Sequence, residues 1–272
     1  MAKYQFGFIG CGNMGGALVR AIAPRIGSEN VLIADRLVSN TAELQDTCHV
    51  RVAANAAEVA MNAKYIFLGV KPQGMRELLM ELSYVLKAKD ESYVLISMAA
   101  GITISTIREM VGIENAAVVR ILPNTPASVG KGMTLYCCSE TVSQEDEKRI
   151  VLALEAAGKV DELPESLIDA GCAVSGCGPA FVYLFIEAMA DGAVAAGLPR
   201  QKAMLYAAQT VLGAAQMAID SGKHPGELKD AVCSPGGSTI CGVNALEQGA
   251  FRGTVMDAVI AAYEKTKSLG NS

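Results

Sequence analysis

YQFGFIGCGNMGGALVRAIAP, residues 4–24, is the stretch whose reading decides the fold. Residues 4–10 are apolar enough for a strand buried on both faces, and NMGGALVRAIAP carries apolar residues at helical spacing. Between them Gly10-Cys11-Gly12-Asn13-Met14-Gly15 matches G-x-G-x-x-G at the turn from strand to helix, the setting in which the pattern has mechanical meaning. Gly10 allows the tight turn, Gly12 lets a pyrophosphate approach the backbone, and Gly15 lets helix and strand pack closely. The helix start then offers unpaired N–H groups to the phosphates.

Outward from this loop, VLIAD (31–35), YIFLGV (65–70), YVLIS (93–97), AAVVRIL (116–122) and MTLYCC (133–138) are further short apolar runs, separated by helical segments such as 72–88. The alternation predicts βαβ units and a mostly parallel sheet. Near Glu162 the texture changes: 179–197, 200–220 and 239–266 have helical spacing, with GLPR (197–200) separating the first two. The predicted organisation is an α/β Rossmann-type dinucleotide-binding domain over 1–163, followed by an all-α domain over 164–272. Within the latter, AFVYLFIEAMADGAVAAG is apolar nearly all round and must be covered on most sides. So short a domain cannot bury several such helices alone, which predicts a homodimer through the helical half.

Composition narrows the class. The 272 residues are 51% hydrophobic and 19% charged, which argues against disorder, and a net charge of −5 leaves no footprint for nucleic acid or an anionic membrane. The eight cysteines contain no C-x-x-C pair, and neither His49 nor His224 sits in a ligand-like pattern, so no metal is expected. They read as reduced thiols, and with no basic leader at the start the expected location is cytoplasmic. The uncharged stretches 170–186 and 203–219 read as buried helices, not membrane spans.

At the end of the second strand Asp35 is placed to accept the ribose hydroxyls of NAD, while Arg36 could pair a 2′-phosphate or stack on adenine. The two signals oppose each other and leave the cofactor open. Gly69-Val70-Lys71-Pro72, Met98-Ala99-Ala100-Gly101 and Arg120-Ile121-Leu122-Pro123-Asn124-Thr125-Pro126 end three other strands on the same edge and outline a cofactor cleft. A second glycine turn, SPGGST (234–239), opens a helix in the other half.

Taken together, GFIGCGNMGGAL, GVKPQ, MAAGITI, VVRILPNTP, AVSGCGPAFVYLFIEAMADGAVAAGLPR and HPGELKDAVCSPGGSTICGVNALEQGAFRGTVMDAV resemble the pyrroline-5-carboxylate reductases, in family order over almost the whole chain. The resemblance implies hydride transfer from a reduced nicotinamide, usually NADPH, to C5 of 1-pyrroline-5-carboxylate, giving L-proline in the last step of proline biosynthesis. It implies a Rossmann domain and a helical domain that intertwines in a dimer, with larger assemblies of dimers in some members. Carried onto this sequence, it puts the pyrophosphate on Gly10, Cys11, Gly12, Asn13 and Met14, and the adenosine near Asp35, Arg36 and Asn55. The nicotinamide side falls near Val70, Lys71, Pro72, Ala99 and Ala100, and the substrate on Gly237, Ser238 and Thr239 at the dimer interface. Two positions depart from the family. Asp35 stands where NADP-preferring members carry small hydroxyl-bearing residues, which keeps NAD beside the favoured NADP, and Cys177 stands where the family usually has Ser.

The chemistry suits these positions. A Gly-Gly turn entering a helix aims several N–H groups at one point and can hold a carboxylate without an arginine. Thr239 then stands where its hydroxyl can hydrogen-bond the ring nitrogen, as the expected catalytic residue, and no covalent nucleophile is needed. Lys71 is either a cofactor-ribose contact or a solvated turn lysine; His224 reads as a helix-start residue, and Cys233 and Cys241 as packing residues. Two rival readings remain. A β-hydroxyacid-type dehydrogenase needs a catalytic Lys with Asn, a setting that Lys202, Lys223 and Lys229 lack. A non-catalytic nucleotide-sensing protein would lack the substrate turn, which is intact here.

Overall fold

Helices cover both faces of a central sheet, which is why its strands read as continuous apolar runs. The computed structural model describes residues 2–269; the outer ends of the two expected domains, residue 1 and residues 270–272, lie outside them. The strands are β1 (Tyr4–Ile9), β2 (Val31–Ala34), β3 (Arg51–Val52), β4 (Ala63–Leu68), β5 (Val94–Ser97), β6 (Val118–Leu122), β7 (Gly132–Cys138) and β8 (Gly158–Glu162). Their order is β3-β2-β1-β4-β5-β6-β7-β8, so the winding direction reverses between β1 and β4. Every pairing is parallel except β6 with β7. The 123–131 connection is too short for a crossover, which takes about a dozen residues or more, so β7 returns antiparallel.

Strand side chains alternate between two cores. On one face Ile66, Leu68, Leu95 and Val118 pack with helices α3 (Ala56–Asn62), α4 (Pro72–Lys87) and α5 (Ile104–Val111). On the other, Phe6, Phe8, Tyr65 and Phe67 meet α1 (Asn13–Ile26), α2 (Val38–Cys48) and α6 (Gln144–Leu154). There Phe8 stacks on Phe67 with ring centroids 4.3 Å apart. Tyr65 donates its hydroxyl to Asp146 (2.8 Å), so its ring stays buried while its polar end is satisfied. β3 and β8 are absent from the sequence reading for a physical reason. β3 is two exposed residues, and β8 (GKVDE) is an edge strand with exposed charges, which discourage pairing with another chain.

After β8 come α7 (Glu165–Ser175), α8 (Gly178–Ala195), α9 (Arg200–Ser221), α10 (Pro225–Ala231), α11 (Ser238–Gln248) and α12 (Phe251–Leu269). The helical stretch 239–266 is therefore two helices, broken at Gly249-Ala250, where Ala250 has φ +54°. The chain divides into two compact units, one running to Cys177 and resuming at Ala262, the other Gly178–Ala261. This division falls later than 163/164 because α7 packs on β7 in the first unit, where Ile168 is fully buried. In the second unit α8 and α9 meet through Ala190, Ala203 and Ala207, small residues that let the helices approach. Tyr183, Leu184, Leu205, Met217, Met256 and Ile260 remain exposed. The run Glu165–Ala195, mean hydropathy 1.5, is long and apolar enough to cross a membrane by length and composition; the Gly176-Cys177 turn interrupts it.

Arg120 is the chief irregularity of the first unit, a guanidinium 1% exposed in the middle of β6. It donates to Glu165 Oε1 (3.0 Å) and Asp169 Oδ1 (3.1 Å), both on α7. The same Glu165 oxygen accepts the Ile104 N–H at the start of α5 (2.8 Å), and Arg120 Nε has no hydrogen-bond partner among the described residues. Asn124 adds a second tie, donating to the Ser175 carbonyl (2.8 Å) and accepting from the Met133 N–H (2.9 Å). Removing one partner of a buried ion pair costs about 3–5 kcal/mol, because the remaining charge keeps its desolvation penalty. Arg120→Met leaves Glu165 and Asp169, 35% and 22% exposed, without their cation and should destabilise by about the lower end of that range, since water relieves part of the penalty. Asp169→Asn keeps the Glu165 contact and should cost less than half as much. Urea unfolding at one protein concentration checks the ranking.

Candidate active site

The ends of β1 and β4 meet at the reversal of strand order, where open α/β sheets bind their ligands. Gly10 follows β1 with φ +93°, and its N–H donates to the Ala34 carbonyl (2.8 Å). A Cβ on Gly15 would lie 2.1 Å from the Gly10 carbonyl oxygen, and one on Gly69 2.3 Å from the same oxygen. Three backbones converge on one carbonyl, and only glycine fits at the two neighbours. Gly12 differs: it is exposed, has φ −66°, and a Cβ there would meet nothing within 4 Å. That open space lies at the N-terminus of α1, which has no side-chain cap and no acidic residue in its first turn. By contrast α3, α5 and α6 are capped by Asn55, Thr103 and Ser143, while the uncapped α2, α4, α7 and α9 are entered by Leu37, Lys71, Pro164 and Pro199 and lack the open glycine. An uncapped helix start behind an open glycine suits a pyrophosphate.

The other expected loop residues are arranged around this point. Asn13 is exposed and Met14 half-buried. Cys11 is buried, and burial with the nearby Asp35 charge pushes its thiol up to about 12, so it is a neutral packing group and no nucleophile. Asp35 accepts the Cys11 N–H on one oxygen (2.5 Å) and the Leu37 N–H on the other (2.8 Å), which pins the end of β2 to the loop. Arg36 is exposed and pairs with Glu77 on α4 (3.1 Å). Asn55 caps α3 by accepting the Glu58 N–H (2.9 Å), so its amide group is the donor it could turn to a nucleotide. Val70 is half-buried, Lys71 is the exposed N-cap of α4, and Pro72 takes the first helical position. Ala99 is buried and Ala100 half-buried beyond the end of β5, with the Ala99 N–H directed to Ser97 Oγ (3.3 Å).

In the second unit Gly236 has φ +68°, and Gly237 donates its N–H to the Ser234 carbonyl (3.0 Å) while serving as N-cap of α11. This helix, like α1, has no side-chain cap and no acid in its first turn. Ser238 and Thr239 are exposed at its start. His224 caps α10, its Nδ1 accepting the Gly226 N–H (3.1 Å), which matches a helix-start role. Lys223 and Lys229 are paired with Glu227 and Asp230. Cys177 is half-buried at the turn after α7, its N–H donating to the Cys172 carbonyl (3.1 Å). The residues expected at the nucleotide thus belong to the first unit, while Gly237, Ser238 and Thr239 belong to the second. Glu77 gave no sequence signal, because helical spacing alone only marks it as a solvated α4 position. Arg120 did leave one: a charge inside VVRIL must find a buried partner.

Residues 165–269 match the family model described as pyrroline-5-carboxylate reductase dimerisation, and residues 5–101 match the model described as NADP oxidoreductase, coenzyme F420-dependent. The chain is 38% identical over 276 residues to the pyrroline-5-carboxylate reductase of Arabidopsis thaliana, covering 99% of this chain and 97% of the relative. Among solved structures it resembles pyrroline carboxylate reductase of Plasmodium falciparum with NADP bound, at 35% identity and TM-score 0.87 over 99% of each chain. It also resembles a pyrroline-5-carboxylate reductase of Coxiella burnetii, at 32% identity and TM-score 0.90 over 99% of this chain and 100% of the other.

The glycine geometry separates folding from binding. Gly15→Ala must displace the Gly10 carbonyl and should cost about 1–3 kcal/mol or more of stability. Gly12→Ala has room for its methyl and should unfold within about 1 kcal/mol of the parent, yet lose about tenfold or more in dinucleotide affinity. Thermal unfolding and calorimetric titration with NADP⁺ on the same samples check the contrast.

Proposed function

This chain belongs to the pyrroline-5-carboxylate reductase family, and from that membership we infer that it catalyses the last step of proline biosynthesis, reduction of 1-pyrroline-5-carboxylate at C5 to L-proline, with NADPH or NADH supplying the hydride. The observation that supports this best is the pairing of two glycine-entered helix starts without side-chain caps, α1 and α11. The reaction has two anionic holding tasks, a pyrophosphate and a small carboxylate, and the described α1 and α11 starts offer one such end for each.

In this reading Gly10 to Met14 hold the pyrophosphate, Asp35, Arg36 and Asn55 the adenosine, and Val70, Lys71, Pro72, Ala99 and Ala100 the nicotinamide side. The N–H groups of Ser238 and Thr239 take the substrate carboxylate, while Gly237, its own N–H held by the Ser234 carbonyl, leaves room for the carboxylate to approach. Thr239 hydrogen-bonds the ring nitrogen, orienting the imine with its proton so that C5 is the electrophilic carbon. The exclusion of water and the near-attack geometry then carry the remaining rate, since no side chain has to bond to the substrate. Cys177 replaces the family's serine hydroxyl with a weak donor, so a hydroxyl contact at that position is lost.

The chain forms a homodimer through its 165–269 segment, and the second copy covers apolar α8 and α9 positions such as Leu184 and Leu205. We place the functional boundary at 163/164, with α7 counted as the start of the dimerising half, and the substrate turn of each copy serving the nucleotide domain of the other. The remaining exposed apolar residues suit a larger assembly of dimers. All eight cysteines are free, which fits a cytoplasmic location.

Thr239→Ala should lower kcat about 10- to 100-fold while NADP⁺ affinity stays within about twofold. Unchanged turnover of pyrroline-5-carboxylate would remove Thr239 from the chemistry. Shared sites predict complementation. Gly12→Ala and Thr239→Ala chains, each feeble alone, should regain activity when mixed and refolded together, because every heterodimer then carries one intact site. No recovery would place the whole site within one chain.

A further inference from the structure

Resting on the nucleotide site assigned above, we propose that Glu77 is a specificity-determining residue for the dinucleotide: it holds Arg36 in an ion pair and so weakens this chain's preference for a 2′-phosphate. NADP and NAD differ only at the ribose 2′ position, and Arg36 directly follows Asp35 at the end of β2, where a guanidinium could pair a phosphate. Its guanidinium is already engaged by Glu77 Oε2 at 3.1 Å. On its other side along the chain stands Asp35, whose two oxygens are held by the Cys11 and Leu37 N–H groups at 2.5 and 2.8 Å. Asp35 therefore cannot swing away from an incoming phosphate without releasing the glycine loop.

One positive charge thus has a negative neighbour along the chain and a negative partner on α4. A 2′-phosphate entering this place meets a carboxylate fixed by the loop and an arginine already committed to α4. A 2′-hydroxyl meets the same carboxylate as a willing acceptor. Glu77 comes from the helix after β4 and Arg36 from the end of β2, and β1 with its glycine loop lies between these two strands in the sheet. The pair thus spans the strand that carries the pyrophosphate loop. Both side chains are largely in water, 77% and 69% exposed, so the pair is weak and breakable. That exposure limits Glu77 to tuning the preference within roughly an order of magnitude and rules out an all-or-none switch.

The test is direct binding, independent of turnover: calorimetric titration of the wild-type dimer and of Glu77→Gln with NADP⁺, NAD⁺ and adenosine 2′,5′-bisphosphate in low salt. Glu77→Gln should tighten NADP⁺ and the bisphosphate by about two- to fivefold, leave NAD⁺ within about 1.5-fold, and lose most of this difference in 0.5 M salt. Glu81→Gln, an exposed carboxylate one turn further along α4, controls for the loss of charge alone. In an Arg36→Ala background the Glu77→Gln effect should fall to the Glu81→Gln level, because it acts through the guanidinium. Equal shifts for NADP⁺ and NAD⁺, an equal effect from Glu81→Gln, or an effect that survives Arg36→Ala would each overturn the proposal. Failure of the underlying reading shows elsewhere, as absence of pyrroline-5-carboxylate-dependent oxidation of either dinucleotide by the wild-type chain.

Discussion

The carbonyl oxygen of Gly10 is the point on which the first unit turns. Gly15 and Gly69 approach it so closely that a Cβ on either would overlap it, and Gly10 itself needs a positive φ to present it. This contact sets the distance between β1, β4 and the start of α1. It also sets where the N–H groups of that helix point. Asp35 ties the end of β2 to the same loop through the Cys11 N–H. The nucleotide edge is therefore a consequence of backbone packing, and side chains contribute charge to a shape already made.

Arg120 solves a different problem. An antiparallel strand and a polar edge strand follow β6, and α7 must be held where the chain leaves the sheet for its helical half. The buried guanidinium holds α7 by two carboxylates, and the shared Glu165 oxygen also receives the first N–H of α5. A buried ion pair is a poor source of stability compared with packed hydrocarbon, but it is directional. It accepts one placement of α7 and rejects a slid or rotated one, because either would strand a charge in the core.

Legibility followed the strength of the local signal. The six apolar strands could be read because burial on both faces leaves a run of Val, Ile, Leu and Phe, as in YIFLGV, with little competition from other readings. β8 could not, because GKVDE at a sheet edge is selected for charge and not for burial. The break between α11 and α12 is only weakly marked, because Gly249 and Ala250 are small residues in a stretch rich in them, and nothing local demands the left-handed Ala250. In the site, the glycine loop and the second glycine turn were plain, since glycine at fixed spacing has few explanations beside a helix start. Asn55, expected near the adenosine, has its oxygen engaged in capping α3, a role that its type and its place before a helix both suit. The partners of Asp35 and Arg36 were invisible: one is a backbone N–H in the loop and the other lies a helix away.

By itself the sequence determined the class of the protein: a dinucleotide loop, an α/β half, an apolar helical half that cannot stay uncovered, and a family. These follow from periodicity and glycine spacing, which act over a few residues and need no knowledge of distant neighbours. Tertiary structure alone decided which charges meet. It gave Arg120 to α7, Asp35 to the glycine loop and Arg36 to Glu77, pairings between residues far apart in the chain. An ion pair depends on two positions brought within a few ångströms, and that separation is set by the packing of every element between them.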